Sequence, residues 1–322
     1  MKLAILGAGR IADKVSETLE QMPEIECYAV ASRELARAEE FAQKHHFQKA
    51  YGSYEEMLSD PAVELVYICT PHSHHAEHMR LCIRHKKPML CEKSFTCNEK
   101  EARAVLKEAE EAGVFCAEAI WTRYMPSRRQ LNEIIRSGII GPITTLSANL
   151  AYPITDKPRI LDPALCGGAL LDVGVYALNF AVMCFGEEIE RLETSCSFTG
   201  TGVDMTDSIT LYYKDGRTAL CSGSIVARSD RMGILWGENG YIVVENINAP
   251  TKISVYDTED RLIKAVSCPI LISGYEFEFM ECVRCIGEGL LEAPSMPHKD
   301  TLSIMSLMDR CREKWGLKYP QE

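Results

Sequence analysis

The sequence predicts an α/β protein in which a doubly wound parallel sheet is followed by an α+β domain with a large, mainly antiparallel open sheet. The length of 322 residues exceeds the ~100–200 residues of a typical single domain. Over residues 1–120, short apolar strands alternate with amphipathic helices, a pattern typical of βαβ units. Beyond residue 120, short alternating strands and hairpin signals predominate. We therefore predict two domains, residues 1–120 and residues 121–322.

The N-terminal elements alternate between strand and helix. Residues 2–6 form a short apolar run, and apolar positions then recur near helical spacing until Pro23. A capping box, Ser53-x-x-Glu56, indicates the start of a short helix. The remaining predicted elements are a strand over 24–31, a helix over 35–45, a strand over 63–70, a helix over 76–86, a strand over 88–91, a helix from Asn98 to Gly113 and a strand over 114–117.

The C-terminal part has a different order of elements. A helix is predicted over residues 126–137, and residues 167–185 form a largely apolar segment of helix length. Asp215-Gly216 and Asn239-Gly240 carry the signal of tight hairpins, which join antiparallel strands. Strands grouped apart from helices are typical of an α+β domain. The other predicted elements are strands over 142–151, 192–198, 208–213 and 217–226 and helices over 275–287 and 300–315.

Composition and charge exclude several functional classes. Lys and Arg total 35 against 46 Asp and Glu, a net charge of −11, so binding to nucleic acid or to an anionic membrane has no electrostatic basis. No apolar run reaches the ~18 residues that a membrane span needs, and we expect that the first residues are not a signal peptide. We expect a cytoplasmic protein whose 14 cysteines are reduced, buried thiols.

Two patterns have the spacing of metal ligands. Cys282-x-x-Cys285 lies in a helical pattern and has no second pair at zinc spacing, so it indicates core packing. Four histidines occur within residues 72–78, and His74 and His78 are one helical turn apart. No cysteine or carboxylate nearby completes a set of four ligands. We therefore predict that the protein has no metal site.

The first functional motif is Gly7-x-Gly9-x-x-Ala12, which follows the first strand and begins the first helix. The first glycine allows a tight turn, and the second lets the backbone approach a pyrophosphate. The third small residue allows close packing of helix and strand, while the helix N-terminus supplies N–H donors for phosphate. The motif predicts a dinucleotide-binding domain of the Rossmann type.

The end of the second strand indicates which dinucleotide binds. NAD sites usually have an acidic residue here, which binds the ribose 2′-OH. This chain has Ala31-Ser32-Arg33 instead, with Arg37 one turn later. Ser32 and Arg33 are suited to a 2′-phosphate, and Arg33 can also stack on adenine. These residues favour NADP over NAD, with an ordinary surface arginine as the alternative interpretation of Arg33.

Two further segments carry candidate catalytic side chains. Lys93 follows Glu92 at the end of a short buried strand, where open α/β sheets bind ligands. A lysine there can polarise a hydroxyl or lower the pKa of a neighbour. Asp172 and Tyr176 are four residues apart and interrupt an apolar run. The alternative interpretations are a solvated Lys–Glu pair and a core tyrosine with a satisfied hydroxyl.

Together these motifs resemble the Gfo/Idh/MocA family, which includes glucose–fructose oxidoreductase and inositol dehydrogenase. The resemblance extends over nearly the whole chain and, within the family, to the branch of dimeric dihydrodiol dehydrogenases and sugar dehydrogenases. One departure is Ser94, because the family usually has proline after the lysine, and proline would fix the backbone there. The segments that carry the resemblance are Gly7 to Ala12, Thr70-Pro71 with His75, Glu92-Lys93, Glu118 to Pro126, Gly167 to Tyr176 and Gly202-Val203-Asp204.

The resemblance implies an NAD(P)-dependent oxidoreductase that transfers a hydride between nicotinamide and a carbinol carbon of a sugar, polyol or trans-dihydrodiol. It also implies that Tyr176 donates and accepts the proton and that Lys93 is the catalytic lysine. Asp172 either orients Lys93 or binds a substrate hydroxyl. Together with Arg37, the positions implied around the cofactor are Gly7, Gly9, Arg10, Ile11, Ser32, Arg33, Thr70, Pro71, His75, Glu92, Lys93, Trp121 and Arg123.

Two other functions are compatible with the same fold. One is redox-assisted glycoside cleavage or epimerisation with tightly held NAD, and the other is a non-catalytic regulator that senses a dinucleotide. Retention of Lys93 and Tyr176 favours an enzyme, because a sensor needs neither. The expected partner is a small polyhydroxylated substrate bound by the C-terminal domain. We also expect a homodimer or homotetramer through the C-terminal sheet, because an open sheet face must be covered.

Overall fold

The computed structural model describes all 322 residues, Met1–Glu322, and divides into two compact units. The first unit comprises Met1–Tyr124 and Leu271–Leu302, and the second comprises Met125–Ile270 and Ser303–Glu322. The sequence predictions divided the chain once, at residue 120. The structure instead groups Leu271–Leu302 with the N-terminal residues.

The first unit contains six short strands separated by helices. Up to the end of the sixth strand, its elements are β1 (Lys2–Leu6), α1 (Arg10–Leu19), β2 (Glu26–Ala31), α2 (Leu35–Lys44), β3 (Lys49–Tyr51), α3 (Tyr54–Ser59), β4 (Leu65–Ile68), α4 (His75–Arg84), β5 (Met89–Glu92), α5 (Glu99–Ala112) and β6 (Cys116–Ala119). The strands form one parallel sheet of order β3-β2-β1-β4-β5-β6. The predicted doubly wound sheet is confirmed. Its strand order reverses between β1 and β4, so the ends of these strands form the switch point where such sheets bind ligands.

The second unit is built on a larger sheet. The elements that follow β6 are α6 (Pro126–Arg136), β7 (Ile143–Ala151), α7 (Val175–Phe185), β8 (Ile189–Phe198), β9 (Asp204–Tyr213), β10 (Thr218–Ser224), β11 (Gly233–Gly237), β12 (Gly240–Glu245), β13 (Lys252–Asp257), β14 (Leu262–Ser267), α8 (Glu276–Gly287) and α9 (His298–Trp315). Of these, α8 and residues 298–302 at the start of α9 belong to the first unit. The eight strands have the order β14-β13-β12-β11-β7-β10-β9-β8. All neighbours are antiparallel except β7 and β10, which confirms the predicted open, mainly antiparallel sheet.

The two faces of the eight-stranded sheet differ. One face packs against α7, where the thiol of Cys221 donates to the carbonyl oxygen of Ala177 at 3.5 Å. Residues of neighbouring strands in register with Cys221, such as Ala148, are buried. Leu220 and Trp236 point to the opposite face because alternate residues of a strand face opposite sides. They are 45% and 37% exposed, respectively, so large apolar side chains remain accessible on this face.

Several local sequence signals have their expected structural effect. The side chain of Ser53 caps α3, and that of Asn98 accepts a hydrogen bond from the N–H of Glu101 at 2.9 Å. The predicted hairpin glycines, Gly216 and Gly240, both have positive φ. A Cβ at Gly240 would lie 2.0 Å from a backbone oxygen of β13, so only glycine fits there. The strands β13 and β14 were not predicted, and the largely exposed β14 lacks the alternating burial that makes a strand recognisable.

The segment Pro163–Phe185 is long and apolar enough to cross a membrane by length and composition. The expectation that no segment passes this test is therefore wrong. In the structure, 89% of its most apolar window is buried inside the protein. Within the segment, Pro163–Leu165 forms a 3-10 turn, Leu170–Gly174 a π-helical turn and Val175–Phe185 the helix α7. Its apolar character is explained by packing in the core of the second unit.

Candidate functional site

The turn between β1 and α1 has the geometry that a dinucleotide requires. Gly7 has a φ of +107°, and a Cβ there would lie 2.9 Å from Cγ2 of Thr70, so a side chain is excluded. Gly9 precedes α1 in an extended conformation, and no side chain caps the helix. The first N–H groups of α1 lack intrahelical acceptors and are available to a pyrophosphate. The residues of this turn therefore fit a bound dinucleotide.

Arginine side chains cluster near the end of β2. Ser32 is buried, whereas Arg33 and Arg37 are exposed. Nε of Arg37 donates to the carbonyl oxygen of Ala8 at 3.0 Å, which links α2 to the glycine turn. Burial raises the pKa of Tyr54, and the nearby charges of Arg33 and Arg37 oppose that rise. Positive charge thus lies beside the strand end at which Rossmann domains bind the ribose.

His75 joins the ends of β4 and β5. Its Nε2 lies 2.7 Å from the carbonyl oxygen of Thr70, and its Nδ1 lies 2.9 Å from that of Ser94. The side chain is completely buried, and burial lowers its pKa to about 4. The ring is therefore neutral at pH 7 and donates an N–H to only one of these two oxygens. His75 thereby contacts the backbone beside Lys93, whose peptide bond to Ser94 is cis.

Glu92 belongs to a buried acidic cluster. The hydroxyl of Tyr67 donates to Oε1 of Glu92. Glu278 of α8 is completely buried, and neither of its carboxyl oxygens has a hydrogen-bond partner. Burial raises the pKa of Glu278 well above its usual range, and the charge of Glu92 raises it further. Burial therefore favours the neutral form of the Glu278 carboxyl group, because an unpaired buried charge is costly.

Trp121 and Arg123 lie in a short 3-10 helix after β6, and both side chains are buried. Trp121 stacks on Tyr275, with ring centroids 4.5 Å apart. The guanidinium of Arg123 donates to the carboxylate of Asp300. Tyr275 and Asp300 come from the segment that the sequence predictions assigned to the C-terminal domain. No local pattern could have paired residues so distant along the chain.

Asp172 and Tyr176 lie in two successive helical turns, the first π-helical and the second α-helical. Asp172 lies in a π-helical turn, Leu170–Gly174, and Tyr176 lies in the first turn of α7. Both residues are buried. Nη2 of Arg159 donates to Oδ1 of Asp172 at 3.0 Å. This ion pair supplies the compensation that a buried carboxylate requires, and Arg159 was not singled out from the sequence.

Two of the histidines near α4, His75 and His78, are hydrogen-bonded to protein atoms. Besides the contacts of His75, Nδ1 of His78 lies 2.9 Å from Oγ1 of Thr70. The structure contains no group of three or more His, Cys, Asp or Glu side chains arranged to hold a metal ion. Cys282 and Cys285 are buried free thiols, as are seven other cysteines, and three further free thiols are partly buried. The expectation that all 14 cysteines are reduced thiols is wrong for Cys97 and Cys166, which are disulfide-bonded.

Comparison with known proteins shows relatives over the full length of the chain. It is 33% identical over 330 residues to a trans-1,2-dihydrobenzene-1,2-diol dehydrogenase from Danio rerio and 34% identical over 333 residues to one from Mus musculus. Each alignment covers 100% of this chain and 99% of the relative. Residues 1–119 match the Gfo/Idh/MocA model described as an oxidoreductase family with an NAD-binding Rossmann fold, and residues 128–243 match the C-terminal domain of that family.

The chain belongs to the Gfo/Idh/MocA oxidoreductase family. It is accordingly an NAD(P)-dependent oxidoreductase, as the resemblance implied. Solved structures agree on the Gfo/Idh/MocA fold. KijD10, a 3-ketoreductase from Actinomadura kijaniata in complex with NADP and TDP-benzene, superposes with a TM-score of 0.88 at 23% identity, covering 97% of each chain. An aldose-aldose oxidoreductase from Caulobacter crescentus gives 0.88 at 20% identity, covering 97% of this chain and 96% of the other.

Proposed function

We propose that this protein is an NADP-dependent oxidoreductase that transfers a hydride between nicotinamide and a carbinol carbon of a sugar, polyol or trans-dihydrodiol. The observation that carries the proposal is the full-length similarity to trans-1,2-dihydrobenzene-1,2-diol dehydrogenases, at 33–34% identity. Lys93 and Tyr176 are both retained, which favours an enzyme over a dinucleotide sensor.

The preference for NADP is supported by the residues around the end of β2. Ser32 and Arg33 occupy the position where NAD sites usually have an acidic residue. The guanidinium of Arg33 is exposed, and Arg37 lies nearby. A charge-assisted contact from arginine matches a 2′-phosphate in geometry and charge. The structural neighbour KijD10 was itself solved with NADP.

In the proposed chemistry, Tyr176 accepts the hydroxyl proton in oxidation and returns it in reduction. An unperturbed tyrosine titrates near pH ~10, so it needs assistance at neutral pH. The ammonium group of Lys93 would stabilise the phenolate and lower that pKa. Asp172 would either orient Lys93 or bind a substrate hydroxyl, in both cases as a carboxylate paired with Arg159. The bound cofactor supplies the hydride acceptor or donor.

Titration with NADPH and NADH, followed by turnover assays, tests this function. The purified protein is titrated by fluorescence and calorimetry, and trans-dihydrodiols, aldoses and polyols are then screened with the preferred cofactor. We expect tighter binding of NADPH and net interconversion of NADP and NADPH. Preference for NADH would overturn the interpretation of Ser32 and Arg33. Tightly held NAD without net turnover would favour redox-assisted chemistry, and the absence of any binding would contradict the proposed enzyme.

We also propose that two or four copies associate through the open face of the eight-stranded sheet. Leu220 of β10 and Ile234 of β11 are both in register with Ser147 of β7, so the three side chains form a row on the face opposite α7. Trp236 and Thr145 form the next row. This face therefore combines small polar residues with exposed apolar ones, and a second copy can cover it.

A further inference from the structure

Two aspartates of β9 are buried without having a part in the proposed chemistry. Asp204 is completely buried, and Asp207 is 2% exposed. Oδ2 of Asp204 accepts a hydrogen bond from the N–H of Leu170 at 2.6 Å, and Oδ1 of Asp207 accepts one from the N–H of Gly223 at 2.8 Å. The second oxygen of each carboxyl group has no hydrogen-bond partner. Buried polar atoms of this kind are rare and require an explanation.

Both carboxyl groups pack directly against glycine backbone. A Cβ at Gly168 would lie 2.1 Å from Oδ1 of Asp204. A Cβ at Gly223 would lie 2.8 Å from Oδ2 of Asp207, and one at Gly174 would lie 3.1 Å from the same atom. Asp207 therefore fills the space between the backbone of β10 and the end of the π-helical turn. Asp204 lies against the backbone that leads into that turn.

The contacts surround the turn that carries the proposed catalytic pair. Leu170 is the first residue of the π-helical turn and Gly174 is the last. Asp172 lies between them, and Tyr176 follows Gly174 by two residues. A shift at either end of the turn would therefore move both side chains. Even a shift of ~1 Å in a reacting group can lower turnover by ~10²-fold.

We propose that Asp204 and Asp207 are positioning residues that fix the two ends of the π-helical turn and thereby set the directions of Asp172 and Tyr176. The assignment rests on the proposed function, because it gives these two residues a role relative to a proposed catalytic pair. Asp204 anchors the start of the turn through its contact with Leu170. Asp207 holds the end of the turn by filling the space beside Gly174.

The surroundings raise the pKa of both carboxyl groups. Burial raises the pKa of Asp204 to about 6, while N–H groups at the start of the turn and Arg312 oppose the rise. Burial raises the pKa of Asp207 well above its usual range, and the charge of Asp204 adds to this. The surroundings thus favour the neutral form of Asp207 more strongly than that of Asp204. Other titratable groups facing the pair are Cys196 of β8, Cys221 of β10, Cys311 of α9 and Tyr319 near the C-terminus.

Substitutions that separate charge, size and hydrogen bonding test the assignment. Asp207→Asn keeps the size of the side chain and an oxygen that accepts from Gly223, so we expect kcat close to that of the unmodified protein. Asp207→Leu removes the acceptor. Asp204→Ala removes the contact with Leu170, and Asp204→Asn retains an oxygen there. We expect kcat to fall about tenfold or more in Asp204→Ala and Asp207→Leu and to be partly restored in Asp204→Asn.

The control is Ser254→Ala, which removes another buried, unpaired polar atom from the same sheet. Melting temperature and the Kd for NADPH are measured for every variant, and kcat is expressed per folded molecule. A shift in the alkaline limb of the kcat–pH profile is expected for Asp204→Ala but not for the control. Unchanged kcat and pH profile in both Asp204→Ala and Asp207→Leu would overturn the proposal, as would losses that follow only the folded fraction.

Amide hydrogen exchange gives a readout that does not depend on activity. The N–H of Leu170 should be protected in the unmodified protein and should exchange faster in Asp204→Ala, together with the rest of the turn. Ser254→Ala should leave this exchange unchanged. If the unmodified protein oxidises no substrate, the proposed function fails. In that case, amide hydrogen exchange alone tests whether Asp204 and Asp207 fix the turn. Equal exchange of the Leu170 N–H in all variants would contradict this role.

Discussion

Nη2 of Arg159 lies 3.0 Å from Oδ1 of Asp172, and the pair joins a partly exposed guanidinium to a carboxylate side chain that is only 8% exposed. Removing one partner of such a pair leaves a poorly compensated charge. We therefore expect Arg159→Met to lower kcat about tenfold through misplacement of Asp172, and Arg159→Lys to retain part of the activity. Steady-state kinetics at saturating NADPH measure both effects.

A matched control for this pair is available in the same unit. Arg191 forms an ion pair with Glu193 at 3.0 Å, and both side chains are about half exposed. Exposed pairs contribute little, so Arg191→Met should leave kcat unchanged. Equal activity of Arg159→Met and Arg191→Met would mean that Asp172 does not depend on its ion pair.

Tyr176 and Lys93 are the residues on which the proposed proton transfer depends. Tyr176→Phe and Lys93→Met should each lower turnover by ~10²-fold or more, because general acid–base assistance has effects of this size. Affinity for NADPH should be spared in both variants. Single-turnover kinetics and a binding titration separate the two effects. Near-normal turnover in either variant would remove that residue from the mechanism.

Arg33 should determine the choice between the two dinucleotides. A hydrogen bond to a charged group contributes about 1.5–3 kcal/mol, so Arg33→Ala should weaken NADPH binding about tenfold or more and leave NADH binding almost unchanged. Arg103 is an exposed arginine of the same unit whose partner is Glu99, and Arg103→Ala serves as the control. A similar loss of affinity for both dinucleotides in Arg33→Ala would show that this side chain does not bind a 2′-phosphate.

Local sequence patterns predict those parts of the site whose geometry is itself local. The spacing of Gly7 and Gly9 predicts the turn between β1 and α1. The structure shows why glycine is needed there, because a side chain at Gly7 would collide with Thr70. The position of Lys93 at a strand end follows from the periodicity of a short apolar strand. Both predictions need only residues that are close along the chain, where backbone propensity and burial pattern carry the information.

Partners that are distant along the chain could not be predicted in this way. Asp300 pairs with Arg123 across 177 positions, and Thr301 donates to Glu118 across 183 positions. No periodicity connects such residues, because contacts between segments depend on tertiary packing. The sequence singled out Asp204 only as part of the Gly202-Val203-Asp204 motif and did not predict that it is buried. An aspartate looks the same in a sequence whether its carboxyl group is buried or exposed.

Glu118 should make stability depend on pH. Burial raises the pKa of Glu118 from 4.5 to about 7, with Oε2 accepting from Thr301 and Oε1 unpaired. A raised folded-state pKa contributes stability that is complete below the unfolded value and is lost as pH rises through the folded value. We therefore expect stability to fall between pH ~4.5 and ~7 on account of this group, by at most about 3.5 kcal/mol at ~1.4 kcal/mol per pH unit.

Glu118→Gln should abolish this part of the pH dependence. Denaturant unfolding at pH 5 and pH 8 measures the difference, and the variant should gain stability relative to the unmodified protein at the higher pH. Glu288→Gln is the control, because Glu288 is about half exposed and paired with Arg284. Parallel pH dependences in Glu118→Gln and the unmodified protein would mean that Glu118 is ionised in the folded state throughout this range.

The exposed face of the eight-stranded sheet should hold the copies of the chain together. Leu220 and Trp236 are 45% and 37% exposed on that face, and a charge there would be buried without a partner in an assembled interface. Leu220→Glu and Trp236→Glu should therefore reduce the mass in solution to that of one chain, as measured by light scattering at micromolar concentration. Leu271→Glu alters a residue of the first unit that is 68% exposed and should leave the mass unchanged. A single-chain mass for the unmodified protein would contradict the proposed association, because apolar side chains at these two positions would then remain uncovered.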